Sequence, residues 1–166
     1  DRTYVGDAQP DLTFGWQNNF TWKNWDFSFF FRGTIGNKVL NNPRAAYANN
    51  TYLIGTNALD DELTYTMKES SRVCSYYLEN GSFIRLDNLA LGYTFDTKKI
   101  NWLDKARLYF AAQNLFVITG YKGLDPEVEL FRGESSDTDA GLSPGIEPRQ
   151  FFPKARTFTL GVNLTF

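Results

Sequence analysis

Arg156-Thr-Phe-Thr-Leu-Gly-Val-Asn-Leu-Thr-Phe166 decides how the rest of the chain is read. Phe158, Leu160, Val162, Leu164 and Phe166 share one parity, and Thr157, Thr159, Gly161, Asn163 and Thr165 share the other. Successive side chains of a strand point to opposite faces, so this stretch has one wholly apolar face and one polar, uncharged face. Its length is also about what a tilted strand needs to cross a bilayer core. A half-buried strand of a soluble β-sandwich alternates too. Its outer face, however, usually carries Lys, Glu or Asp, whereas Thr, Gly and Asn suit a wet lumen.

Working back from this strand, the same pattern recurs four times. Thr13 to Trp22 sets Phe14, Trp16, Phe20 and Trp22 against Thr13, Gly15, Gln17, Asn19 and Thr21, with Asn18 out of place. After the two-residue hairpin signal Lys23-Asn24, Trp25, Phe27, Phe29, Phe31, Gly33 and Ile35 alternate with Asp26, Ser28, Arg32 and Thr34, and Phe30 is the exception. Asp87 to Phe95 alternates Leu89, Leu91, Tyr93 and Phe95 with Asn88, Ala90, Gly92 and Thr94. Upstream of it, Arg85 and Asp87 fall on the apolar parity, which predicts a bulge or a strand already clear of the bilayer. Ala106 to Thr119 sets Leu108, Phe110, Ala112, Phe116 and Ile118 against Arg107, Tyr109, Ala111 and Gln113, with Asn114 misplaced. These features predict an all-β fold: about five antiparallel strands of a transmembrane β-barrel.

The connections alternate short and long. Long loops at about 36–80 and 120–155 far exceed a typical connection of about 4–6 residues, and they are expected outside the cell, with the short turns and the C-terminus on the periplasmic side. Trp22, Trp25, Phe95, Trp102 and Phe166 then fall near one interface, as an aromatic girdle does. Five strands cannot close a membrane barrel, so more chain is expected to complete the sheet. The first ten residues do not read as a signal peptide, and no run of 18 apolar residues predicts a transmembrane helix.

Composition narrows the function. With Lys+Arg 17 against Asp+Glu 19, no basic footprint for nucleic acid exists. One cysteine and no histidine leave little basis for a metal centre or for hydrolytic or redox catalysis, so no enzyme activity, cofactor or metal is expected. Asp137-Thr138-Asp139 offers oxygens for Ca²⁺ but lacks the remaining spaced ligands, and a solvated acidic loop is the plainer reading. Cys74 is expected to pack as a small apolar residue. Tyr47, Tyr52, Tyr65, Tyr76 and Tyr77 either contact sugars or a lid protein or pack on one another. The inward polar residues Gln17, Asn19, Arg32, Asn88, Arg107, Tyr109, Gln113 and Asn163 are candidates to touch cargo or a plug, or simply to hydrate the lumen. Arg32 and Arg107 lead, because charges drawn out of bulk water want partners, such as plug carboxylates.

Three stretches resemble the C-terminal portion of the SusC/RagA family of TonB-dependent outer-membrane transporters. They are Gly81-Ser-Phe-Ile-Arg-Leu-Asp-Asn-Leu-Ala-Leu-Gly-Tyr-Thr-Phe95, the Gln113-Asn-Leu-Phe116 core followed by Tyr121-Lys-Gly-Leu-Asp-Pro-Glu127, and the final strand, on which Val162, Leu164 and Phe166 fit an outer-membrane assembly signal. The opening hairpin, Pro10 to Gly36, is similar too. The resemblance implies a 22-stranded barrel in a bacterial outer membrane, surrounded by its lipids, plugged from the periplasm and capped by a SusD-like lipoprotein. It also implies energy from TonB through a part upstream of Asp1, and oligosaccharide or peptide cargo. A surface or adhesion barrel that does not transport is the alternative. A soluble carbohydrate-binding sandwich would leave rows of Phe and Leu too large for a soluble monomer.

Overall fold

The computed structural model describes residues 3–48, 55, 57, 59–61, 74–97, 102–128, 144–149 and 152–166. Five long strands make one antiparallel sheet: β1 (Leu12–Trp22), β2 (Trp25–Ile35), β5 (Phe83–Phe95), β6 (Lys105–Thr119) and β7 (Thr157–Thr165), neighbouring in that order. Two short strands, β3 (Lys38–Leu40) and β4 (Leu78–Asn80), pair separately. The chain divides into two compact units.

One unit, Thr13–Gly33, Ile84–Ile118 and Lys154–Phe166, is the greater part of the long sheet. Its β6–β7 register pairs Leu108 with Val162, Phe110 with Leu160 and Ala112 with Phe158, alternating with Arg107–Asn163, Tyr109–Gly161 and Ala111–Thr159. Partners directly opposite in a ladder share a face, so the register sorts apolar with apolar and polar with polar. The apolar face is lined by ring contacts: Trp16 on Phe29 and Phe31, Phe20 on Phe27, and Phe110 stacked on Phe158. Even so, Trp16, Phe20, Phe158 and Leu160 stay exposed, so the face has no protein covering it among the described residues.

Three of the residues that broke alternation, Arg85, Asp87 and Asn114, have local explanations. Arg85, only 3% exposed, donates to Asn114 Oδ1 at 3.4 Å, so the two outliers on the apolar parity hold each other. Asn114 sits at φ +52°, a left-handed conformation that Asn tolerates better than most residues, and its amide donates to the Ala155 carbonyl. Asp87 accepts from Asn88 and pairs with Arg32 of the polar face. Adjacent side chains cannot bond each other from opposite faces, so the alternation slips by one at Asp87–Asn88, as at a β-bulge.

The other unit, Asp1–Leu12, Thr34–Phe83 and Thr119–Pro153, holds the elements that the sequence reading left as aperiodic loop. The helix α1 (Asn42–Tyr47) begins where Asn41 Oδ1 accepts from the Arg44 amide, with Pro43 in its first turn. Ala45 and Ala48 are small enough to bring the helix against Tyr77, fully buried in a 3-10 turn, with Leu40 beside them. Leu40 also exchanges backbone hydrogen bonds with Gly145 and Glu147, joining distant parts of the chain. Cys74 does not pack inside; it is exposed. Asp137-Thr138-Asp139, Tyr52 and Tyr65 lie outside the described residues.

Candidate functional site

The polar face of the long sheet carries two ion pairs that span strands. Arg107 of β6 reaches across β5 to Asp26 of β2 in a two-pronged contact, Nε to Oδ1 at 2.9 Å and Nη2 to Oδ2 at 2.5 Å. Gly92 lies beneath this bridge, where a Cβ would collide with both groups. Nearby, the Arg107 guanidinium lies 5.3 Å from the Tyr109 ring centre, and Tyr109 in turn covers Gly161. Glycine at these two positions lets long side chains lie flat on the wall. Arg32 pairs with Asp87 at 3.3 Å. Both leading arginines therefore have carboxylate partners within the sheet.

The Asp26 and Arg107 side chains remain 40% and 32% exposed, so solvent screens their attraction. Alanine at both positions together is expected to cost only about 0.5–1 kcal/mol of barrel stability, read as a small shift in the temperature of heat-modified mobility. A loss of insertion in the double variant would assign this pair a larger role.

Gln17, Asn88 and Gln113 converge on a shallow recess of about 270 Å³ that Ser28 and Phe30 also line. Asn19 and Asn163 are exposed elsewhere on the sheet, Asn163 opposite Arg107. Val162, Leu164 and Phe166 are exposed on the apolar face, Phe166 stacking on Trp102 at 5.7 Å. Trp22, Trp25, Phe95 and Trp102 are exposed as well.

In the unit built from the long connections, Glu147 is fully buried. It accepts from the Tyr121 hydroxyl at 2.5 Å and from the Leu124 amide at 3.0 Å. Gly123 sits so close to both Glu147 and Tyr121 that a side chain there would collide. Lys122 donates its amide to Glu79, whose carboxylate also receives Arg44 and Asn41. Arg44 further binds Asp61 at 2.8 Å, and this hydrogen bond is the main cause holding its guanidinium above the ordinary range. Tyr76 remains exposed with Arg44 5.7 Å from its ring centre, while Tyr77 packs inside. The motif Tyr121-Lys-Gly-Leu-Asp-Pro-Glu127 is thus a turn clasped by two glutamates.

Burial, and then the bond to Glu147, drive the Tyr121 pKa far above its ordinary 10.0. A group whose folded pKa is raised contributes stability that is complete below its unfolded pKa and declines at higher pH. Protease protection of this unit is therefore expected to be flat with respect to Tyr121 up to pH about 10, and to fall above it in the native chain but less steeply in Tyr121→Phe.

Two-faced strands with one face of Phe and Leu and another of paired charges and amides need a family to give them context. A TonB-dependent receptor of Formosa agariphila, P3, is 34% identical over 180 residues, covering 100% of this chain and 17% of that receptor. The TonB-dependent receptor SusC of Bacteroides thetaiotaomicron is 31% identical over 94% of this chain and 15% of its own length. The structure of the RagAB peptide importer in its closed-closed state superposes with a TM-score of 0.73 at 25% identity, over 96% of this chain and 18% of that one. The chain belongs to the SusC/RagA family of TonB-dependent receptors.

No general protein-family model matches the sequence. The chain spans less than a fifth of the length of the SusC/RagA relatives it matches. Its five-stranded sheet is accordingly a section of a TonB-dependent barrel wall, of the kind found in the bacterial outer membrane. The membership gives the apolar face its solvent, which is lipid, and the polar face its own, which is the lumen. Parity alone named the candidate lumen residues; it did not find Asp26 or Asp87 as the partners of Arg107 and Arg32. Glu147 carried no signal at all, because it lies in a stretch without periodicity.

Proposed function

We propose that this chain is the C-terminal wall section and outer loops of an energised importer of oligosaccharides or peptides in a bacterial outer membrane. TonB drives it through the upstream part of the polypeptide, and a SusD-like surface lipoprotein caps it. The observation that carries the reading is the match of nearly the whole chain, at a TM-score of 0.73, to the RagAB peptide importer, together with SusC-type receptors at comparable coverage.

The wall itself supports the assignment. Rows of Phe and Leu face lipid, no unpaired Arg or Asp projects from the apolar face among the described residues, and the exposed aromatics Trp22, Trp25, Phe95, Trp102 and Phe166 lie at the short links from β1 to β2 and from β5 to β6 and at the C-terminal end of β7. The C-terminus and the short turns face the periplasm, and the long connections at about 36–80 and 120–155 face outward, where Tyr76 and its neighbours are available to the lid. In the source bacterium, deletion of the full-length gene is expected to abolish growth on one class of oligosaccharide or peptide, and depletion of TonB is expected to do the same. The tagged native protein should carry a lipoprotein with it. Unchanged uptake after both deletions would instead favour a surface barrel that does not transport.

A further inference from the structure

The ion pairs of the polar face leave one group of side chains unabsorbed. Ser28, Ala90 and Ala111, from three neighbouring strands, make a floor of small side chains, and Gln17, Phe30 and Gln113 stand around it. Among the described residues, no charged one lines this recess. Gln17, Ser28 and Gln113 make no side-chain hydrogen bond with the described residues. Phe30 is the residue that broke the alternation of β2. Phe27, Phe29 and Phe31 each touch another ring, but Phe30 touches none among the described residues and rests against Gly15 instead.

We infer that this recess is a carbohydrate subsite on the inner wall, which takes one neutral pyranose ring of a passing oligosaccharide. The inference rests on the importer reading above. Sugar hydroxyls both donate and accept, as do the amides of Gln17 and Gln113 and the hydroxyl of Ser28. The apolar face of a pyranose matches the ring of Phe30, and an aromatic wall with a few converging polar groups is how small-molecule sites fix orientation. The volume of about 270 Å³ lies just below the usual range for drug-sized ligands, roughly 300–1,000 Å³, so it suits one ring and not a whole chain. The charged groups flanking it on this face, Arg107 with Asp26 and Arg32 with Asp87, are already paired, so peptide termini and charged side chains find no free partner here. A weak, single-ring contact also fits transport, which needs release as well as capture.

The test uses the full-length transporter, purified with its companion subunits and screened against neutral oligosaccharides and a mixture of short peptides. The neutral oligosaccharide that binds most tightly then serves as the calorimetry probe for the native protein, Phe30→Ala and Gln113→Ala. The expected result is a neutral oligosaccharide ligand whose affinity falls roughly fivefold to tenfold in each variant, with heat-modified mobility unchanged. Binding of peptides alone, or of no oligosaccharide, overturns the ligand class. Unchanged affinity in both variants overturns the site, and vancomycin leakage appearing with that unchanged affinity would assign the recess to holding the plug. All three results leave TonB-dependent uptake standing, since growth tests it separately.

Discussion

Leu160→Arg is expected to abolish stable insertion of the full-length protein in the outer membrane. Leu160 is 74% exposed near the middle of β7, opposite Phe110, on the face that lipid covers. An Arg at the bilayer midplane of a barrel costs about 2–4 kcal/mol, comparable with a large part of a typical domain's net stability. Thr159→Arg, one residue away, points its charge into the lumen opposite Ala111 and is expected to insert normally. Heat-modified mobility and outer-membrane fractionation of the two variants read the difference. Equal insertion of both would contradict the assignment of faces.

The second large effect is expected outside the sheet. Glu147→Ala removes the acceptor for the Tyr121 hydroxyl and the Leu124 amide. Leaving buried donors unsatisfied costs about 1–3 kcal/mol each, and the deleted side chain also leaves a void under Gly123. The unit built from the long connections should therefore become cleavable by external protease, while the barrel keeps its heat-modified mobility. Glu147→Gln keeps one acceptor oxygen but turns an amide donor toward one of its two partners, so an intermediate effect is expected. Full protection in Glu147→Ala would show that the clasp contributes little beside Leu40, Gly145 and the buried Tyr77.

The sequence revealed the long sheet because lipid on one side and water on the other impose a strict period of two, and four of the five strands obey it within a residue or two. The exception, β5, begins at Phe83 and not at Asp87, because Arg85 and Asp87 hid the alternation; only the structure shows that Asn114 and Arg32 accommodate them. The elements of the other unit were illegible for a different reason. Three-residue strands and a six-residue helix are too short to display a period, and they are held by contacts such as Leu40 to Gly145 that no local pattern announces. The polar face followed the same division. Most of its members could be read from parity, Asp87 excepted, but the bond from Arg107 to Asp26 joins residues 81 apart in the chain, and no spacing rule predicts it.

The most direct test places single cysteines at 158 to 164 along β7 of the full-length protein, in a Cys74→Ser background, and measures spin-label accessibility in native outer membranes. Labels at Phe158, Leu160, Val162 and Leu164 are expected to be relaxed by oxygen, which partitions into lipid. Those at Thr159, Gly161 and Asn163 are expected to respond to a water-soluble nickel complex, giving two curves of period two in opposite phase. Nickel accessibility at both sets, with no alternation, would contradict the account of this chain as a section of a membrane barrel wall.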